Sequence, residues 1–354
     1  MNSDQAVLPT ENIPQAAAEK TAWREIVTPY QRPRLARSIW QIINSVGLYV
    51  GLWCLMYLSL SYSYWLTAGL AVLAGGVQVR IFIIFHDCVH GSFFKSKRAN
   101  DICGFFTGLL VFTSYHHWRW EHSVHHANAG DLDGRGMGDV WTMTVEEYLA
   151  APRMTRFWYR LNRNPIVLFV IAPLVLFLIL HRVPLKKATK TTRRFTHITN
   201  FSLLLMVVAM SFLFGWKAYL ILQLAVLFIG AASGVWLFYV QHQFEGVNWE
   251  RKESWSFLQA ALEGSSFYKL PRILQWFSGN IGFHHIHHLS PRIPNYNLED
   301  CHHADPLFHE VEPLTLGKSM KSFTFRLWDE EGRKLVGYDH LRALRRKVAP
   351  EPVS

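Results

Sequence analysis

Half of the eighteen histidines in this 354-residue chain fall in three short clusters. The first is HDCVH, with His86 and His90. The second is HSVHH, with His122, His125 and His126, and the third is HHIHH, with His284, His285, His287 and His288. Residues i, i+3 and i+4 share one helix face, so each H-x-x-H-H cluster predicts three imidazoles converging on one point. A lone H-x-x-x-H arises often by chance and reads as structural histidine. Two copies of H-x-x-H-H beside an H-x-x-x-H are hard to explain in that way. A ligand set of imidazole alone suits iron, copper, zinc or nickel. A structural zinc uses only four ligands, so the three clusters imply at least two ions. Asp87, Glu121, Asp131, Asp133 and Glu245 stand near the histidine motifs. Each is a candidate partner for the non-ligating N–H of a metal-bound imidazole.

Elements that bring such clusters together must cope with an unusual composition. Half of the residues are apolar and 14% are aromatic, and the formal net charge is +10. A basic chain invites a nucleic-acid reading, but no recognition motif with interleaved aromatics accompanies the charge. The basic residues flank apolar runs, as Lys186, Lys187, Lys190, Arg193 and Arg194 do, which is the positive-inside pattern of a membrane protein attracted to anionic lipid. Between Ser38 and Val79 no residue carries a charge, too long for one span of ~20 residues. The polar, aromatic stretch 59–65 divides it into a hairpin, 38–59 out and 65–86 back, leaving the lipid near Arg80. Two later runs, 198–216 and 218–241, make a second hairpin. The apolar runs 102–113 and 165–180 are short and read as interfacial or re-entrant helices, because spanning would separate the histidine clusters. The expected architecture is an all-α integral membrane protein. It has four transmembrane helices in two hairpins, interfacial helices and a cytoplasmic histidine-rich cap. Its parts are a cytoplasmic tail (1–37), a membrane domain with its cap (38–316) and a basic C-terminal tail (317–354). Cys54, Cys88, Cys103 and Cys301 show no paired spacing, so neither a disulfide framework nor a zinc ribbon is indicated. The polar N-terminus resembles neither a signal sequence nor a transit peptide, which points to a bacterial inner membrane with both termini cytoplasmic.

The stretches HDCVHGSFF, WRWEHSVHHANAGDLD, QHQFE and NIGFHHIHH resemble the membrane fatty acid desaturases, in particular the acyl-lipid, delta-12-like branch with three histidine boxes. The passage GDLDGRGMGDVWTMTVEEY, with QHQFE, narrows the resemblance from the wider set of membrane di-iron hydroxylases. By position it implies nine histidine ligands to two non-haem irons. These are His86 and His90; His122, His125 and His126; His242 of QHQFE; and His284, His287 and His288. His285 is the inserted residue of the third box, and His116 and His117 precede the second. His302, His303, His309 and His340 fall outside the motifs and read as surface residues. Asn280 is a stand-in for an asparagine that some family members place near the metals. The resemblance further implies O2 as co-substrate and a cis double bond inserted into the acyl chain of a membrane lipid. Trp118, Trp120, Trp141 and Tyr148 are candidates to line the entrance to the acyl tunnel.

Electrons must come from outside. The chain has no nucleotide fingerprint, no fused cytochrome sequence and no iron–sulfur cysteine spacing. A ferredoxin or b-type cytochrome is the expected donor, and Lys95, Lys97 and Arg98 offer a basic docking patch. Two rivals remain. A hydroxylase or ketolase of an alkane, sterol or carotenoid would use the same irons. A metal transporter would bury charge in mid-membrane, whereas these spans hold none.

Overall fold

The computed structural model describes residues 23–348 except 186. The first 22 residues, most of the expected N-terminal tail, lie outside the described residues, as does Lys186 of the basic loop. Among the described residues four helices are long and apolar enough to cross a membrane. They are α1 (Leu35–Ser59), α2 (Tyr64–His90), α7 (Lys190–Phe214) and α8 (Trp216–His242). Shorter helices lie between the two pairs: α3 (Lys97–Leu110), α4 (Tyr115–Asn128), α5 (Arg153–Asn162) and α6 (Val167–Arg182). Beyond α8 come α9 (His284–Leu289) and α10 (Leu298–His302), with two small two-stranded sheets.

The sequence marks the ends of α2 clearly. Ser63 caps its N-terminus, its hydroxyl accepting the N–H of Leu66, and Gly91 ends it in the left-handed region at φ 70°. A left-handed residue directly after the last turn is a common helix stop that glycine adopts without penalty. It falls one residue after His90, so the first histidine pair occupies the final turn. α2 is also the central helix of the bundle. Of its most apolar window 61% is buried inside the protein, against 11% for α7. It crosses α8 where Gly75 meets Gly230. A Cβ on Gly75 would lie 2.5 Å from Ile229, and one on Gly230 would lie 2.4 Å from Gln78. Small residues let the two backbones touch, the usual way helices associate in lipid.

Arg80, where the sequence reading has α2 leaving the lipid, is enclosed by protein. Its guanidinium is buried, donates to Ser45 at 3.1 Å and to the carbonyl of Trp276, and lies 4.3 Å from the Trp276 ring. The charge is held by protein, and α2 continues buried to Val89. The run expected to be a half-buried helix, 165–180, lies in α6. That helix starts with a wide π turn and is bent 58° from α5. At its end Arg182 donates to the Phe112 carbonyl at 2.5 Å, and its own carbonyl accepts from Asn200 of α7.

The stretch expected to be a basic C-terminal tail folds back on the body as far as it is described. β3 (Leu327–Asp329) pairs antiparallel with β4 (Lys334–Val336), after a parallel pair of β1 (Phe267–Lys269) with β2 (Pro313–Thr315). Leu327 and Trp328 are buried, and the Trp328 N–H donates to the Met143 carbonyl at 3.0 Å. At the other end Trp23 and Val27 pack with Ile286, Ile293 and Leu298 around the third cluster.

Candidate metal centre

Four elements converge on one place. α2 brings His86 and His90, α4 brings His122, His125 and His126, the last residue of α8 is His242, and α9 brings His284, His287 and His288. Both long hairpins therefore return to the same side. The ligand-capable nitrogens of His86, His90, His122, His126 and His287 lie within 4.8 Å of one another, and so do those of His125, His242 and His288. His284 joins the second group, its Nε2 3.0 Å from that of His242 and 3.1 Å from that of His288. The groups adjoin, with the His126 and His288 rings stacked 4.2 Å apart.

Each H-x-x-H-H box serves both groups, which corrects the expectation that each would converge on one point. Box two sends His122 and His126 one way and His125 the other. Box three sends His287 one way and His284 and His288 the other. Adjacent helical residues diverge by about 100°, so the doubled histidine at the end of each box splits between two positions.

The nitrogens fit cations better than they fit each other. Besides the pairs of His284, the Nε2 atoms of His125 and His242 are 3.1 Å apart, those of His122 and His126 3.1 Å, and those of His126 and His287 3.0 Å. A neutral ring nitrogen is either a donor or an acceptor. His126, His242 and His284 each face two such neighbours, so the array cannot be satisfied by hydrogen bonds alone. His90 Nε2 is buried with no partner among the described contacts. A cation among these lone pairs would satisfy them, and imidazole–metal bonds of about 2.0–2.1 Å are compatible with nitrogens about 3 Å apart. Burial and the mutual repulsion of the rings push His122, His126, His284, His287 and His288 well below the usual histidine range. They remain neutral at pH 7 with lone pairs free.

Two carboxylates reach these histidines. Asp87 Oδ1 is 3.3 Å from His86 Nδ1, while its Oδ2 accepts both the backbone and side-chain N–H of Asn295 at 2.7 and 2.8 Å. Asp139 Oδ1 accepts from His125 Nδ1 at 2.5 Å. Asp139 was not among the candidates, although it lies in the GDVW passage that narrowed the resemblance. The signal is Gly138: at φ 78°, a Cβ there would meet the Cβ of His125 at 3.0 Å, so glycine lets the loop lie against α4. The remaining candidates hold other partners. Glu121 Oε1 is 3.5 Å from His117 Nε2, and Asp131 accepts the N–H groups of Asp133 and Gly134. Asp133 pairs with Arg251 and Glu245 with Lys321. Asn280 sits in a left-handed turn at φ 60°, its N–H donating to the Gln275 carbonyl.

Outside the nine, the His116 ring packs at a tilt 4.0 Å from Phe195, His285 pairs with His302, and His340 meets Asp329. His302 is buried rather than superficial, because Phe267 and Phe283 flank it at 4.4 and 5.2 Å. Trp118 stacks on His122 at 4.1 Å and touches Phe82 and Phe85, forming an aromatic wall beside the site. Tyr148 packs with Tyr159 and Tyr338, and Trp141 meets Tyr159 edge-on.

A sequence model described as fatty acid desaturase matches residues 63–314. The chain belongs to the fatty acid desaturase family, and it is an integral membrane protein of that family. A fatty acid desaturase of Bacillus subtilis (strain 168) is 47% identical, over 92% of each chain. The sn-1 acyl-lipid omega-3 desaturase (ferredoxin) of Nostoc sp. (strain 36) is 29% identical, over 75% of this chain and 74% of its own. The sn-1 oleoyl-lipid 12-desaturase of Synechocystis sp. (strain ATCC 27184 / PCC 6803 / Kazusa) is 27% identical, over 73% of this chain and 74% of its own. The family membership favours desaturation over hydroxylation or ketolation.

Proposed function

We propose that the chain is an O2-dependent, non-haem di-iron desaturase that inserts a cis double bond into the acyl chain of a membrane lipid. The observation that carries this reading is the nine-imidazole array divided into two adjoining groups at the ends of both hairpins. Two irons bound there would supply the oxidising power that removing hydrogen from an unactivated methylene requires. Overall, a –CH2–CH2– segment, O2, two electrons and two protons become –CH=CH– and two waters.

The chain's own residues prepare the site. His86, His90, His122, His126 and His287 would hold one ion, and His125, His242, His284 and His288 the other. Asp139 fixes the His125 ring by accepting its Nδ1–H, and Asp87 with Asn295 sets the His86 ring. Trp118, Phe82 and Phe85 keep one wall apolar, so water is excluded where an acyl chain would approach. Residues 38–316 are taken as the catalytic unit, with 23–34 and the described part of 317–348 packed onto it.

An acyl lipid is supported as substrate by the membrane setting of the site. The Nostoc relative is an acyl-lipid desaturase and the Synechocystis relative an oleoyl-lipid desaturase, which also supports it. The electron donor is external, a ferredoxin or b-type cytochrome. Lys95 and Arg98 are exposed just past His90 and form its proposed docking patch. Lys97 already pairs with Asp101 at 2.6 Å. The histidine-bearing side is assigned to the cytoplasm of a bacterial inner membrane, supported by the basic residues of 182–194 before and in the first turns of α7.

Expression in a host with saturated or monounsaturated lipids tests the reading, with new double bonds mapped by mass spectrometry. New cis double bonds that vanish with His125→Ala are expected. An alcohol on the acyl chain with no new double bond would overturn it.

A further inference from the structure

A third group of histidines stands apart from the nine. His302, His303 and His309 bring one nitrogen each to within 4.8 Å of one another. Their ring centroids are 5.1 Å (His302 to His303), 5.2 Å (His302 to His309) and 5.9 Å (His303 to His309) apart. His302 and His303 are consecutive at the end of α10. His309 comes from the short 3-10 turn Pro306–Glu310, where Asp305 accepts the N–H of Leu307. The intervening turn reverses the chain, so His309 comes back beside the other two. All three line an open cleft of about 460 Å³ that Glu299 also lines.

We propose that His302, His303 and His309 form a separate binding site for one divalent transition-metal ion, of which Zn2+ is the probe of choice. Three imidazoles with room for a fourth ligand match what zinc, copper and nickel prefer. In a tetrahedral site with bonds of about 2.0–2.1 Å, ligand nitrogens lie about 3.4 Å apart. The observed spacing therefore needs only a small closure, which the two exposed rings can make by rotating. Glu299 in the cleft, or water, completes the shell.

His302 is prepared for this role. Its Nδ1 is 3.1 Å from Nε2 of the buried His285, leaving its own Nε2 for the cation. Orienting a ligating imidazole through its second nitrogen is how metal sites are commonly built. His285 lies in α9 between His284 and His287, so an ion here would be coupled through one hydrogen bond to the third box. It would also tie α10 to the turn that follows.

The test uses the full, iron-loaded enzyme in detergent, titrated with ZnCl2, with zinc and iron measured by elemental mass spectrometry. One Zn2+ per chain is expected in addition to the bound iron. His303→Ala and His309→Ala, each exposed and outside the proposed iron site, are expected to lose it. The weakening should exceed the ~10–100-fold that removal of a supporting residue alone brings. Iron content and desaturation in zinc-free buffer should match the unaltered protein. Either variant alone suffices if the other misfolds, since iron content reports the fold. Co2+ in place of Zn2+ should give tetrahedral visible absorption that both variants lack. Three results overturn the proposal: equal zinc uptake by variants and unaltered protein, uptake matched by iron release, or no uptake at ~100 µM, where only a binding energy weaker than about −5.5 kcal/mol would escape.

Discussion

His125 and Asp139 illustrate how the quality of a proposed ligand depends on a neighbour it does not share a motif with. The Nδ1–H of His125 is held by Asp139 at 2.5 Å, which fixes the ring and makes the opposite nitrogen a better donor of its lone pair. Asp139→Asn should leave the fold intact and lower iron occupancy and desaturation by ~10–100-fold, measured as iron per chain and double bonds per lipid. Full iron and full activity would remove Asp139 from this role. Asp87→Ala should also lower iron content, and it should free Asn295, whose two N–H groups the carboxylate accepts. Eight of the nine histidines were legible from local spacings of three and four, which put imidazoles on neighbouring helix faces. His242 stands alone in the chain and entered through the resemblance of QHQFE; the structure brings all nine together. Asp139 was not legible in that way. Its approach to His125 depends on a glycine-rich loop, and the sequence separation of 14 residues carries no periodic signal. Glu245 shows the converse: it sits beside His242 in the chain, yet its carboxylate turns to Lys321.

The elements were read well where apolar length decides and less well where burial by protein replaces burial by lipid. Four spans follow from uncharged runs that only a bilayer or a thick core can accommodate. Arg80 was read as an exit because one charge in a long apolar helix usually marks one, and its partners Ser45 and Trp276, which satisfy it inside the fold, carry no signal in the sequence. The contact between α2 and α8 is equally hidden from hydropathy, since glycines in membrane helices are common. Gly230→Ala would press a methyl against Gln78, and overpacking of that kind costs about 1–3 kcal/mol. Thermal unfolding in detergent should shift down accordingly, with weaker iron retention because α2 and α8 both end in proposed ligands. Gly51→Ala provides the contrast. It lies in α1 with nothing within 4 Å of a new Cβ, so the gain in helix preference of about 0.5–1 kcal/mol should leave stability unchanged or improved. Equal losses in both variants would mean that the close crossing of α2 and α8 is not what either glycine serves.

At the scale of the whole molecule, the metal centre and the topology constrain each other. His86 and His90 end the first hairpin and His242 ends the second, and α4 and α9 close over them. No arrangement with an odd number of crossings between α2 and α7 brings these groups together. α5 and α6, bent by 58°, must then enter and leave on the histidine side. The basic residues 182–194 follow on that side, where the charge rule also puts them. An epitope tag placed between Leu185 and Thr189 tests both arguments at once. In oriented membrane vesicles it should be cleaved by protease only from the cytoplasmic face, and a tag at Ser61 between α1 and α2 only from the opposite face. A Leu185 tag cleaved from the outside would require α6 to cross the membrane. α7 and α8 would then deliver His242 to the wrong side, and the nine-histidine centre could not form in a single chain.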